Sequence, residues 1–137
     1  MALRYMLDTN VFIRIRQRRP GPVLDRFQAL GANEAVISVV SYGELCFGVE
    51  KGAMPDRALA ALNGLVAFIP VQPLPPAAGA AYGSIRATLE RRGETIGNND
   101  LWIAAHARAE GWVLVTNNER EFRRVEGLTV ENWAAST

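Results

Sequence analysis

The sequence predicts an α/β domain with a parallel sheet, and three observations point there. Short apolar, β-branched runs alternate with helical patterns along the chain. The first, second and fourth runs lead into small polar residues, Asp8-Thr-Asn10, Ser41 and Thr116-Asn-Asn118. Carboxylates stand close to those places, and ligand chemistry in parallel sheets gathers beyond the carboxyl ends of the strands, near the switch in strand order.

Taken in order, Leu3 to Leu7 reads as a first strand, and Val11, Phe12 and Ile15 as the apolar side of the helix after it. Pro20 and Pro22 open a second helical segment, with Val23, Phe27 and Leu30 on one face and Gly31 closing it. Ala35 to Val40 is short enough for a buried second strand. A helix carrying Glu44, Leu45, Phe47 and Gly48 follows and ends near Gly52. Asp56 is a candidate cap for the next helix, with Leu59, Leu62 and Val66 turned inward. Val66 to Val71 is a third apolar run, stopped by Pro73, Pro75 and Pro76.

Pro76 to Arg92 reads as the longest helix, with Ala78, Ala81, Tyr82, Ile85 and Leu89 buried and Gly93 as terminator. In Ile96–Ala107, Asp100, Ile103, Ala104 and Ala107 share one face of a helix that ends at Gly111. Trp112 to Val115 is a fourth strand, a short helical turn runs through Phe122, and Leu128 to Val130 is the last strand, with Trp133 packing near the end.

The 137 residues suit a single domain, 1–137. The longest apolar stretch, Gly64 to Val71, is too short to span a bilayer, and the first residues reach Asp8 without a signal-peptide core. Cys46 is the only cysteine, which excludes an internal disulfide and a cysteine zinc cage. A cytoplasmic address is the expectation. A net charge of +1 announces no nucleic-acid binder, yet the basic residues are nearly all Arg, clustered at Arg14–Arg19, Arg91–Arg92 and Arg120–Arg124. Arg suits bidentate phosphate contacts, and solvated helix faces explain the same residues.

Each acid has an ordinary explanation of its own. Asp8 is placed to cap the following helix. Glu44 stands three residues after Ser41, the spacing of a capping box. Asp100 lies in a first helical turn and complements the helix dipole. Gathered at one edge of a sheet, however, such carboxylates repel each other unless a cation neutralises them. Oxygen donors of this kind suit Mg²⁺ or Mn²⁺, ions that bind phosphates, and that combination points to metal-assisted phosphoryl chemistry. His106 is the only histidine and lies off the Asp100 face, so a histidine-pair nuclease mechanism has no support; a structural or surface role is expected for it. Trp102, Trp112 and Trp133 could stack on bases, but core or dimer-interface packing is the expected use of each.

Four stretches carry a resemblance: Met6-Leu-Asp-Thr-Asn-Val-Phe-Ile13, Ile37-Ser-Val-Val-Ser-Tyr-Gly-Glu-Leu-Cys-Phe-Gly48, Ile96-Gly-Asn-Asn-Asp-Leu-Trp-Ile-Ala-Ala-His-Ala107 and Leu114-Val-Thr-Asn-Asn-Glu-Arg-Glu-Phe122. In this order and spacing they resemble the motifs of PIN-domain ribonucleases, and Val125-Glu-Gly-Leu-Thr-Val-Glu-Asn-Trp133 strengthens the likeness to VapC toxins of bacterial type II toxin–antitoxin pairs. The resemblance implies a three-layer PIN-like domain with about five parallel strands flanked by helices, a homodimer, and Mg²⁺-dependent RNA cleavage in which Mn²⁺ can replace Mg²⁺. Asp8 and Asp100 match the family's principal metal ligands, and Glu44 its third acid, which would either ligate the ion through water or orient the nucleophile. Asn118 stands where many relatives have a further acid, with Glu121 three residues on, which leaves a second metal site in doubt. Asn10, Thr116 and Asn118 are candidates for hydrogen bonds that hold the carboxylates.

The expected reaction is in-line attack of metal-activated water on an RNA phosphodiester, leaving a 5′-phosphate and a 3′-hydroxyl. The implied partner is a VapB-like antitoxin that covers the acid cluster, with docking surfaces on the helices near Phe12, Phe47 and Leu59. The implied substrate is tRNA, with the anticodon loop of initiator tRNA the sharpest expectation. The alternative is a PIN-like module that binds RNA or protein without cleaving. Receiver and haloacid-dehalogenase readings fit poorly, because no Lys follows Lys51 and Asp8-Thr-Asn10 holds one acid where a phosphatase wants two.

Overall fold

A computed structural model of the chain describes residues 3–134. Its five strands are β1 (Tyr5–Leu7), β2 (Ala35–Ser38), β3 (Val71–Gln72), β4 (Val113–Val115) and β5 (Val130–Glu131). All neighbours pair in parallel, in the order β3-β2-β1-β4-β5. The helices are α1 (Thr9–Arg16), α2 (Pro22–Gln28), α3 (Val39–Lys51), α4 (Pro55–Val66), α5 (Pro76–Arg92), α6 (Asn98–Glu110) and the short α7 (Glu119–Phe122).

Alternation along the strands sorts the core into two halves, because successive side chains leave a strand on opposite faces. Leu7, Ala35, Ile37, Val113 and Val115 face α1 to α4 and pack with Phe12, Ile15, Leu45 and Leu62. Met6, Val36 and Leu114 face the other way, against Ile85 and Leu89 of α5 and Leu101, Ile103 and Ala104 of α6. The sheet is therefore sandwiched between helical layers. α6 is wedged between the sheet, α3 and α5 and buries more than the single face its spacing suggests: Leu101, Ala105 and His106 are buried along with Ile103, Ala104 and Ala107. α5 and α6 each end at a glycine in the left-handed region, Gly93 (φ 67°) and Gly111 (φ 72°), which lets the chain reverse without a Cβ clash.

Several expectations need correction. The second strand stops at Ser38, because its hydroxyl accepts from the Val40 N–H at 3.1 Å and starts α3; Val39 and Val40 are helical despite their β-branching. Ser41 is thus inside the helix rather than at its cap, its hydroxyl buried without a partner, and no capping box involves Glu44. The apolar run from Val66 makes no strand until Val71, since α4 continues through Val66 and Phe68 is 70% exposed. Pro55 occupies the first turn of α4 with Met54 as cap, leaving Asp56 in that turn, and Leu59 faces outward while Leu62 is wholly buried. α2 begins at Pro22 and is closed at Ala29 rather than Gly31. β1 starts at Tyr5 and β4 at Val113, while the last strand is Val130–Glu131 rather than Leu128–Val130. Trp133 packs where expected, 5.7 Å from Tyr5 between ring centres, and is nearly fully buried.

Candidate functional site

The strand order runs outward from β1 through β2 to β3 on one side and through β4 to β5 on the other. The switch point therefore lies between β1 and β4, the place where α/β sheets open a crevice. Leu7 pairs with Val115, so the next residues, Asp8 and Thr116, emerge side by side. The Asp8 N–H donates to the Val115 carbonyl at 3.0 Å, and the Thr116 hydroxyl donates to Asp8 Oδ2 at 2.5 Å. That hydroxyl in turn accepts from the Asn118 N–H at 2.9 Å. Asp8 Oδ1 accepts from the Val11 N–H at 2.9 Å, so Asp8 does cap α1. The same side chain serves the helix and the crevice.

Glu44 reaches the crevice from the second turn of α3. Its Oε1 accepts from the Thr9 hydroxyl at 2.6 Å, and its Oε2 meets the Asn99 side-chain nitrogen at 3.4 Å. Asp100 enters from the first turn of α6, a helix that returns against the strands and so points its N-terminus at the same edge. Glu121 completes the group: its Oε2 accepts from the Asn118 amide at 2.9 Å, and its charge acts on Asp100.

The electrostatics register this crowding. Burial, then the charges of Glu44, Glu121 and Asp8, push the Asp100 carboxyl up to about 6. Burial raises the Asp8 carboxyl as well; the hydrogen bonds from Thr116 and from the Val11 and Asn10 backbone act against it, while Glu44 adds to it. Elsewhere the acids have partners, as in Arg26–Glu131, Arg86–Glu90, Arg92–Glu126 and Arg123–Glu119. Among the described residues, the ion pairs include none with Asp8, Glu44, Asp100 or Glu121. Asp8, Glu44 and Glu121 accept from neutral donors alone, which leaves their charge available to a cation from solution.

Among the described residues, no three His, Cys, Asp or Glu side chains stand together closely enough to hold a metal ion by themselves. Mg²⁺ keeps several waters and is taken up through one or two carboxylates together with substrate phosphates, rather than by an all-protein cage. An all-oxygen donor set with raised carboxyl pKa values suits such an ion and disfavours a softer one.

The expected supporting residues divide. Thr116 holds Asp8 directly, and Asn118 acts through its backbone on Thr116 and through its amide on Glu121. Asn10 contributes its backbone N–H to Asp8, while its side chain is exposed. Thr9 and Asn99, the two donors to Glu44, escaped the sequence reading. Their positions beside Asp8 and Asp100 were the available signal. His106 is not at the surface: it is fully buried, its Nδ1 2.8 Å from the Ser38 hydroxyl, and burial lowers its pKa to about 4. Trp102 stacks on Tyr82 at 3.9 Å and Trp112 lies against His106, so each has an aromatic partner within the chain.

Comparison with known proteins places this arrangement. The PIN domain family model matches residues 5–128. Ribonuclease VapC2 of Haemophilus influenzae is 43% identical over 131 residues, covering 96% of this chain and 98% of its own. The tRNA(fMet)-specific endonuclease VapC of Shigella flexneri is 45% identical over 132 residues, covering 96% and 99%. Among solved structures, the DNA-bound VapBC of Salmonella typhimurium superposes with a TM-score of 0.89 at 39% identity, covering 96% of this chain and 99% of that one.

Proposed function

The chain belongs to the PIN-domain family and, within it, to the VapC ribonucleases, and we propose that it is a Mg²⁺-dependent endoribonuclease toxin restrained by a small VapB-like antitoxin. The observation that carries the reading is the set of acids at the β1–β4 switch point, charged, partly buried and paired with no cation among the described residues. A binding module would have no use for such a set, which costs stability through desolvation and mutual repulsion.

Asp8 and Asp100 are the residues that would hold the ion, Asp8 fixed by Thr116 and by the α1 backbone, and Asp100 by the first turn of α6. When bound, the ion supplies Lewis-acid charge that favours deprotonation of water and offsets charge on phosphoryl oxygens. Glu44 presents an acceptor to the attacking water, keeping it aligned for in-line displacement. Glu121, which accepts from the Asn118 amide, would be the acid available to a second ion in place of the neutral Asn118. Water as nucleophile leaves a 5′-phosphate and a 3′-hydroxyl.

The substrate proposed is tRNA, with the anticodon loop of initiator tRNA as the sharpest form, an analogy with the relative named tRNA(fMet)-specific. The antitoxin is proposed from the VapBC complexes among the solved relatives. Phe12 is buried and leaves the docking surface expected for it, whereas Phe47 and Leu59 are exposed, as is Phe68. We propose a cytoplasmic homodimer; no described helix is long and apolar enough to cross a membrane. Incubation of purified, antitoxin-free protein with total tRNA and Mg²⁺, followed by end mapping, tests the reading. It predicts discrete fragments with 5′-phosphates that EDTA abolishes. Cyclic-phosphate ends would contradict the mechanism, and intact tRNA beside degraded ribosomal RNA would contradict the substrate alone.

A further inference from the structure

We infer that Thr9 is the positioning residue of Glu44, with Asn99 a weaker second, and that Glu44 acts through its Oε2 atom. The inference rests on the functional reading above. Thr9 Oγ1 donates to Oε1 at 2.6 Å, whereas Asn99, exposed at the surface, approaches Oε2 at 3.4 Å, near the limit of a hydrogen bond. Oε1 therefore carries the short bond of the tether, and Oε2 has the weaker partner and the greater freedom to accept.

The need for a tether follows from the side chain. Glu44 is half-buried, has three rotatable bonds and meets no cation among the described residues, so without a donor it would sample several rotamers. Thr9 supplies that donor from a stiff place. Its β-branched side chain has few rotamers, and its backbone opens α1 directly after Asp8, the residue that caps the helix. The hydroxyl is not occupied in capping, because Asp8 performs that task. One bond thus fixes the spacing of two acids that lie far apart in sequence, and it does so with a neutral group that leaves both negative charges in place. Arg or Lys in that role would compete with the ion.

The test compares Thr9→Val, which removes the hydroxyl at similar volume, with Thr9→Ser, which keeps it. Mn²⁺ binding to antitoxin-free protein is measured by calorimetry without RNA, and tRNA cleavage at saturating Mn²⁺. Thr9→Val should lower affinity or cleavage about 10-fold, the smaller end of the range for residues that orient metal ligands. Thr9→Ser should recover most of it, and Thr9→Val added to Glu44→Ala should cost nothing further. Asn99→Ala, an exposed change that leaves folding intact, should cost less than Thr9→Val. A Thr9→Val protein that matches wild type, an equal loss in Thr9→Ser, or a loss that adds to Glu44→Ala would overturn the inference while the nuclease reading stands. A wild-type protein that neither binds Mn²⁺ nor cleaves would overturn both. If Thr9→Val does not fold, Thr9→Ala takes its place, and a folded Thr9→Ala protein that matches wild type in both readouts would overturn the tether.

Discussion

At Asp100, burial and three neighbouring carboxylates act in one direction, raising its carboxyl from 3.8 to about 6. The folded protein therefore holds that proton more tightly than the unfolded chain does. The stability this brings is complete below pH 3.8 and is lost as pH rises through about 6. Asp100→Asn should accordingly stabilise the metal-free protein at pH 7.5, by on the order of 1 kcal/mol once solvent screening of a half-exposed group is allowed for. The gain should vanish near pH 4, and urea unfolding in EDTA at the two pH values measures both. A residue retained for folding would show the opposite sign. Asp100 in its first helical turn was legible in the sequence; its elevated pKa was not, because the burial responsible, and the charges of Glu44, Glu121 and Asp8 that add to it, come from segments distant in the chain.

The junction of β2 and α3 shows how one hydroxyl organises two elements. Ser38 Oγ accepts from the Val40 N–H and shares a second hydrogen bond, 2.8 Å long, with His106 Nδ1 on α6. Ser38→Ala removes a helix cap and leaves a buried ring nitrogen without its partner, for a loss of about 2–3 kcal/mol. Chemical denaturation at pH 7.5 checks this, and an unchanged midpoint would contradict it. His106 is also a neutral buried base with its pKa lowered to about 4, so the stability it brings is present above pH 6.5 and lost as pH falls toward 4. In that window it opposes Asp100. The β-branched pair Val39-Val40 concealed this boundary, since local propensity favoured a strand while the Ser38 cap decided for a helix. The same shift moved Glu44 from a capping position into the crevice, which removed its structural explanation. Gly93 and Gly111 were legible as stops because a left-handed turn has few other occupants. Phe68 was misleading, as its apolar run looks like a strand but leaves the ring in solvent.

Over the whole molecule, the strand order brings Asp8 and Thr116, separated by 108 positions, into one hydrogen bond. The acids and their motifs could be read from the chain, and the family resemblance extended over nearly all of it; the pairing of β1 with β4 could not, because nothing local encodes which strands become neighbours. Phe47, Met54, Leu59 and Phe68 are exposed on or just after α3 and α4, and none of them is among the switch-point acids or their hydrogen-bond donors. Phe47→Ser with Phe68→Ser should therefore weaken capture of a co-expressed VapB-like antitoxin and leave tRNA cleavage by the free toxin close to wild type. Equal capture by pull-down would remove these residues from the interface.

The central claim is that the switch-point acids form a cation site for RNA hydrolysis. Its most direct test is tRNA cleavage by wild-type protein, Asp8→Asn and Asp100→Asn, each folded, with Mg²⁺, with Mn²⁺ and with EDTA. Cleavage by wild type with either ion, its loss in EDTA, and a drop of 100-fold or more in both variants, about 2.7 kcal/mol of barrier, is the predicted result. Cleavage that persists in EDTA or in either variant would contradict it.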